Sequence, residues 1–266
     1  MGMSNVPHEE KPVTISPIDR TVAWLGGNWI VMFGFVVGFL VALPFLAPFF
    51  MSIGWSVPGR IIYFIYSFVC HQLPERSFFL FGTKISFTVP EIQAAYQMSF
   101  DPMILRQFVG NLEMGWKVAW SDRMVAMFSS LWLFGLVWYP LRNHIRRIPW
   151  WGLILFLAPM VIDGSSHAVS DVAGIGAGFR DTNLWLAALT HNLFPSTFYA
   201  GDAIGSFNSS MRLLTGVLFG LGTVWYTFPF LDEAFSSMSH VVEYKRQYQE
   251  LIQREKARIL SGASHE

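Results

Sequence analysis

The sequence predicts an all-α integral membrane bundle of about four transmembrane spans, with interfacial helices and a charged C-terminal helix. Three observations carry that expectation. Hydrophobic residues make up 53% of the 266, aromatics 17% and charged residues only 14%, with a mean hydropathy of +0.40, outside the range of ordinary soluble domains. The stretch from Trp24 to Phe50 is nearly all apolar and free of charge, long enough to cross about 30 Å of hydrocarbon. Further apolar runs recur along the chain, separated by polar connections. A formal net charge of zero lacks the basic footprint that neutralises nucleic-acid phosphates, so nucleic acid is not an expected partner. One cysteine excludes an internal disulfide.

Residues 1–20 hold Pro7, Pro12 and Pro17 among charges, and such a composition predicts a flexible tail. The membrane domain is expected over 21–231. Its first span, Trp24 to Phe50, far exceeds the core of a signal peptide and should remain as an anchor. Pro44 and Pro48 fall in its last turns, where a kink or an early end does least damage. Ile61 to Cys70 is apolar but about half the length of a crossing, which suggests an interfacial helix. Short extramembrane helices are expected around Pro90–Met98, Pro102–Val109 and Asn111–Trp120. Second and third spans are read at Met124–Leu141 and Ile148–Ile162, a short helix at Asn183–Leu193, and a fourth span at Leu213–Leu231. From Asp232 onward, alternating charges such as Glu243, Lys245, Arg246 and Glu250 predict a cytoplasmic or interfacial helix over 232–266.

The short loop Arg142–Arg147 carries three arginines and no acid, so the positive-inside bias places it in the cytoplasm. With four spans both termini then lie inside, and the long connections 51–123 and 163–212 lie outside. Four polar clusters would meet near that outer interface.

The first cluster is Ser67–Phe79, with Cys70, His71, Glu75 and Arg76. Thiolate and imidazole are good metal ligands, but adjacent helical residues diverge by about 100°. Cys70 is read either as a ligand or as a small packed hydrophobe. The second is Trp120–Arg123, where Asp122 and Arg123 stand at the mouth of a span, either as a functional pair or as a cap. In the third, Asp163 and His167 are four residues apart and share a face if the helix persists past Gly164. The fourth, Asn208–Arg212, sets Arg212 in a first helical turn, where the helix dipole opposes a cation and demands a partner.

At these places the chain resembles the DUF2085 family of prokaryotic membrane proteins. The match rests on Cys70-His71-Gln72-Leu73-Pro74-Glu75-Arg76-Ser77-Phe78-Phe79, on Arg123, on Pro159 to Gly164 and on Asn208 to Gly216. The resemblance implies a further cysteine two residues before Arg123 and often an aspartate after it; here those places hold Ser121 and Met124. If the family's cysteines jointly bind metal, this chain lacks one ligand.

The functional expectation is an outer-face polar site in a prokaryotic cytoplasmic membrane. In one version it is an enzyme or metal site acting on an anionic amphipathic substrate such as a lipid or isoprenoid headgroup. Asp163, His71, Arg123 and Arg212 are the catalytic candidates, Arg76 and Asn208 hold the ligand, and Cys70, His71, Asp122 and His167 are candidate ligands of a divalent metal. In the alternative, the chain is a non-catalytic subunit of a membrane complex, with polar clusters as interhelical glue and 232–260 as the docking arm.

Overall fold

The computed structural model describes residues 15–263. Among these, four helices are long and apolar enough to cross a membrane: α1 (Pro17–Ser52), α5 (Asp122–Leu141), α6 (Trp150–Asp171) and α10 (Phe207–Ala263). Between them lie α2 (Ser56–Tyr66), a 3-10 turn (Pro74–Arg76), β1 (Ser77–Leu80), α3 (Val89–Ala95), α4 (Pro102–Leu105), β2 (Gly110–Asn111) and β3 (Gly115–Ser121), then α7 (Phe179–Thr182), α8 (Leu184–Leu189) and α9 (Ser196–Tyr199). The protein is a multi-pass, predominantly helical membrane protein.

The chain divides into two compact units, one comprising residues up to Met32 with those from Pro229 onward, the other Phe33–Phe228. In the first unit the start of α1 lies along α10. Trp29 stacks on Phe235 at 5.6 Å and donates its indole N–H to Asp232, and Lys245 bonds to Asp19 at 2.8 Å. Asn28 leaves helical backbone geometry and kinks α1, its side chain bonding back to Trp24 O. The expected tail is shorter than predicted, because Pro17–Arg20 already form the first turn of α1; residues 1–14 lie outside the described residues.

In the second unit, α5 and α10 approach closely at glycine. A Cβ on Gly220 would lie 2.1 Å from Ser130 Oγ and 2.7 Å from Leu131 N, so only glycine fits at this crossing. Trp132 ties α5 to α1 by donating to Gly34 O at 2.9 Å. α2 is 11 residues long, about 16 Å, too short to span. Ile62, Tyr63 and Tyr66 bury one face against α1 and β3, while Val57, Ile61, Phe64 and Phe68 are exposed; apolar on both faces, it suits an interfacial position.

Four expectations need correction. Asn111–Trp120 is not a helix but the turn and strand of a small antiparallel sheet of order β1-β3-β2, with Phe79 opposite Lys117 and Asn111 opposite Gly115. Both faces of β3 are covered: Val118 and Trp120 pack in the α1–α2 core, and Lys117 on the opposite face is fully buried, which erases the alternation that marks a half-exposed strand. The third span continues nine residues beyond Ile162 to Asp171. Gly164 packs under a guanidinium, where a Cβ would lie 2.8 Å from Arg123 Nη1, and Ser165 and Ser166 bond back to Ile162 O and Asp163 O. The fourth span and the charged C-terminal helix are one continuous helix. The helix predicted at Asn183–Leu193 covers only Leu184–Leu189, because Asn183, His191 and Asn192 adopt left-handed backbone (φ 43°, 51° and 56°).

Candidate functional site

The helices alternate in direction, so the N-termini of α5 and α10 and the C-terminus of α6 meet at one end of the bundle, below the β1-β3-β2 sheet and the Pro74–Arg76 turn. All four predicted polar clusters arrive there. Together with Arg180 and Asp202, which lie outside the clusters, they assemble a buried network of four arginines (76, 123, 180 and 212) and four aspartates (122, 163, 171 and 202) whose charges cancel.

Arg212 is 2% exposed and has every guanidinium nitrogen bonded. Nε and Nη2 donate to Asp122 at 2.8 Å, Nη1 donates to Asp202 at 2.6 Å, and Nη2 also reaches Asp202 O at 2.7 Å. This answers the dipole conflict of a cation in a first helical turn, with Asp122 and Asp202 as its partners. Arg76 is engaged as completely: Nη1 and Nη2 grip Asp171 at 2.7 Å and Nε donates to Asp202 at 2.8 Å. Burial pushes the Asp202 carboxyl up, but Arg76 and Arg212 outweigh it and hold Asp202 well below the usual carboxylate range. Glu75, read from sequence as a partner for Arg76, is not hydrogen-bonded to it.

Asp163 anchors the second half. Its two oxygens accept from Arg123 and Arg180, both at 2.7 Å. Because the helix persists, His167 shares its face, and Arg180 Nη2 lies 3.2 Å from His167 Nε2. A guanidinium only donates, so Nε2 accepts and the proton of the neutral ring is on Nδ1. Among the described residues that Nδ1 has no hydrogen-bond partner, and neither has Nε of Arg123 or of Arg180.

Asn208 holds the framework. Its amide donates to Arg180 O at 2.7 Å and Gly201 O at 3.0 Å, and its oxygen accepts from Asn183. The N-cap of α10 is Ser206, whose hydroxyl accepts from Ser209 N; Ser209 itself donates to Asp122. Cys70 is buried, and its Sγ accepts from the backbone N–H of Gln72 and of Ser121, each at 3.4 Å. His71 is exposed.

A cleft of about 460 Å³ opens beside the network, lined among others by Cys70, His71, Arg76, Arg123, His167 and Arg212. Of these, Arg76 and Arg212 have every guanidinium nitrogen already bonded to an aspartate. Of the candidate arginines Arg76, Arg123 and Arg212, Arg123 is the one on this cleft with a guanidinium nitrogen lacking a partner among the described residues. The candidate metal ligands do not converge on one point. Asp122 is held by Arg212 and Ser209, His167 Nε2 by Arg180, and Cys70 by backbone amides. Among the described residues no group of three or more His, Cys, Asp or Glu is placed to hold a metal ion.

Sequence reading missed Arg180, Asp202, Asn183 and Lys117, and named Glu75 without a role of its own. Lys117 is fully buried in β3 and donates to Gln72 O and Arg106 O, both at 2.7 Å. Glu75 is 1% exposed and neither oxygen accepts a hydrogen bond; burial pushes its carboxyl up to about 7. The one signal available in advance was the need of Arg212 for an anionic partner, which the structure meets with Asp122 and Asp202.

Comparison with known proteins adds a relative without adding an activity. No protein-family model matches the chain, and no solved structure matches it. The chain is similar to an uncharacterised protein of the archaeon Methanocaldococcus jannaschii, 26% identical over 212 residues, covering 77% of this chain and 92% of that one.

Proposed function

We propose that this membrane protein binds the anionic headgroup of an amphipathic molecule in the cleft beside Arg123. The carrying observation is the pair of donors without acceptors, Arg123 Nε and His167 Nδ1, on residues that line one cleft at the ends of membrane-spanning helices. Buried donors are costly to leave unmade, so the cleft complements a ligand rich in acceptor oxygens. The exposed His71 supplies a titratable group at the mouth. Asp163, with both oxygens paired to arginines, orients Arg123 and Arg180 rather than serving as a free base. We place the Arg142–Arg147 loop and both termini on the cytoplasmic side of a prokaryotic membrane, with the cleft on the other, following the arginine bias of that loop. The resemblance to DUF2085 is consistent with this placement and names no substrate.

Native mass spectrometry of the protein with phosphatidylglycerol and phosphatidylcholine tests the reading. Retention of the anionic lipid over the zwitterionic one, reduced by Arg123→Lys, is expected. Equal retention of the two lipids overturns it.

A second reading, as a subunit of a larger membrane complex, is favoured by the C-terminal part of α10. Val241, Tyr244, Tyr248 and Leu251 form an exposed apolar stripe on the side of the helix away from Phe235, Ser239 and Lys245, which face α1. Replacing the four by serine should release any stoichiometric partner seen on purification. A chain that purifies alone before and after the change removes this reading.

A further inference from the structure

The segment between α6 and α10 is built inside out for a loop in water. Leu184, Leu189 and Leu193 are 71%, 72% and 77% exposed, and Phe179, Trp185 and Phe194 are exposed beside them. Its polar groups turn inward instead. Asn183 is fully buried and donates to Arg180 O, Tyr199 O and Asn208 Oδ1; the Tyr199 hydroxyl pairs with Thr190 Oγ1 and accepts from Phe194 N. Residues 182–201 contain no Asp, Glu, Lys or Arg.

From this arrangement we propose that Val172–Phe194 is a membrane anchor, with α8 seated in the lipid surface as its partner. An apolar patch of this extent does not stand in water on a monomer, and two features select the bilayer as its occupant. The patch continues the lipid-facing stripe of α6, whose exposed Val161, Ile162 and Val169 lead to Val172 at 88% exposure. Over 182–201 it also lacks the charged residues common at the rim of a protein interface, while Trp185 and Phe194, beside the exposed polar His191 and Asn192, suit the interfacial aromatic belt. The anchor has a consequence for the ion network. Asn183 joins α7 to α8, so the α8 plate in the lipid is tied through one buried amide to Arg180, whose guanidinium holds Asp163 and His167. This inference does not depend on what the cleft binds.

Nitroxide labels at Leu189→Cys and Leu193→Cys, in a Cys70→Ser background, test it in the full chain reconstituted into nanodiscs of phosphatidylcholine and phosphatidylglycerol. Glu113→Cys, an exposed acidic position, serves as the water-facing control, and monodisperse elution confirms folding of each variant. Labels at 189 and 193 should collide readily with molecular oxygen and be shielded from a soluble nickel chelate, with the order reversed at 113. Ready collision with nickel at 189 and 193 overturns the proposal by placing the patch in water. Shielding from both reagents overturns it in the other direction, since that result means a second copy or another protein covers the patch.

Discussion

Two halves of one buried network treat their arginines differently. On the side of Arg76 and Arg212, every guanidinium nitrogen meets an aspartate or a carbonyl. On the side of Arg123, Arg180 and His167, three ring or guanidinium nitrogens have no partner. Both halves are buried, but the first sets two arginines against three aspartates and the second two arginines against one, so charge cancels only over the whole network. They differ in hydrogen-bond satisfaction as well: every guanidinium nitrogen of the closed half is bonded, while among the described residues the open half has three buried nitrogens without a partner.

The largest expected effect breaks the closed half. Arg212→Met leaves Asp122 and Asp202 buried with a partner missing, which should cost about 3–5 kcal/mol. Thermal unfolding in detergent should show a collapsed Tm or no folded protein. A variant as stable as the parent would mean the closed half is not framework.

Next comes Glu75, which neighbours the closed half yet accepts no hydrogen bond. A carboxyl raised from 4.5 to about 7 by burial keeps in the folded state a proton that the unfolded chain has already released. Its contribution to stability is therefore full below about pH 4.5 and is lost as pH rises through about 7, a change on the order of 3 kcal/mol. Lys117, lowered to about 7 by burial, contributes with the opposite slope but between about pH 7 and 10.5, so the interval below 7 separates Glu75 from Lys117, and the Glu75→Gln difference separates it from other groups. Glu75→Gln should flatten the fall in Tm between about pH 5 and 7. An unchanged slope assigns the titration elsewhere.

The smallest effect sharpens the open half. Arg123→Lys keeps the charge beside Asp163 and removes the unpartnered Nε–H. Loss of about one tenfold step in anionic-lipid affinity is expected, about 1.4 kcal/mol, with little change in Tm. Equal losses of affinity and stability would make Arg123 framework as well.

The sequence spoke clearly where one physical signal dominated. Long charge-free runs located all four crossing helices, and the clusters around Cys70, Asp122, Asp163 and Arg212 converged as their placement at span ends required. Legibility failed where tertiary contacts decide. Asp163 to Asp171 reads as a loop because Gly, Ser and Asp weaken a helix in isolation, yet the packing of Gly164 under Arg123 keeps it helical. β3 reads as a helix because its two covered faces hide the strand alternation. Arg180 and Asp202 are single charges in a connection rich in glycine and serine, and nothing local announces that each reaches a partner brought by another helix.

The order in which these partners emerge during synthesis bears on how the protein is made. Asp122 leaves the ribosome 90 residues ahead of Arg212, and Arg76 waits 126 residues for Asp202. A nascent chain that has inserted its first three spans thus carries an unmatched aspartate at the mouth of α5 and an arginine held only by Asp171. Only entry of the last span completes the charge match, so a prematurely terminated product is marked as incomplete by its own unpaired acid.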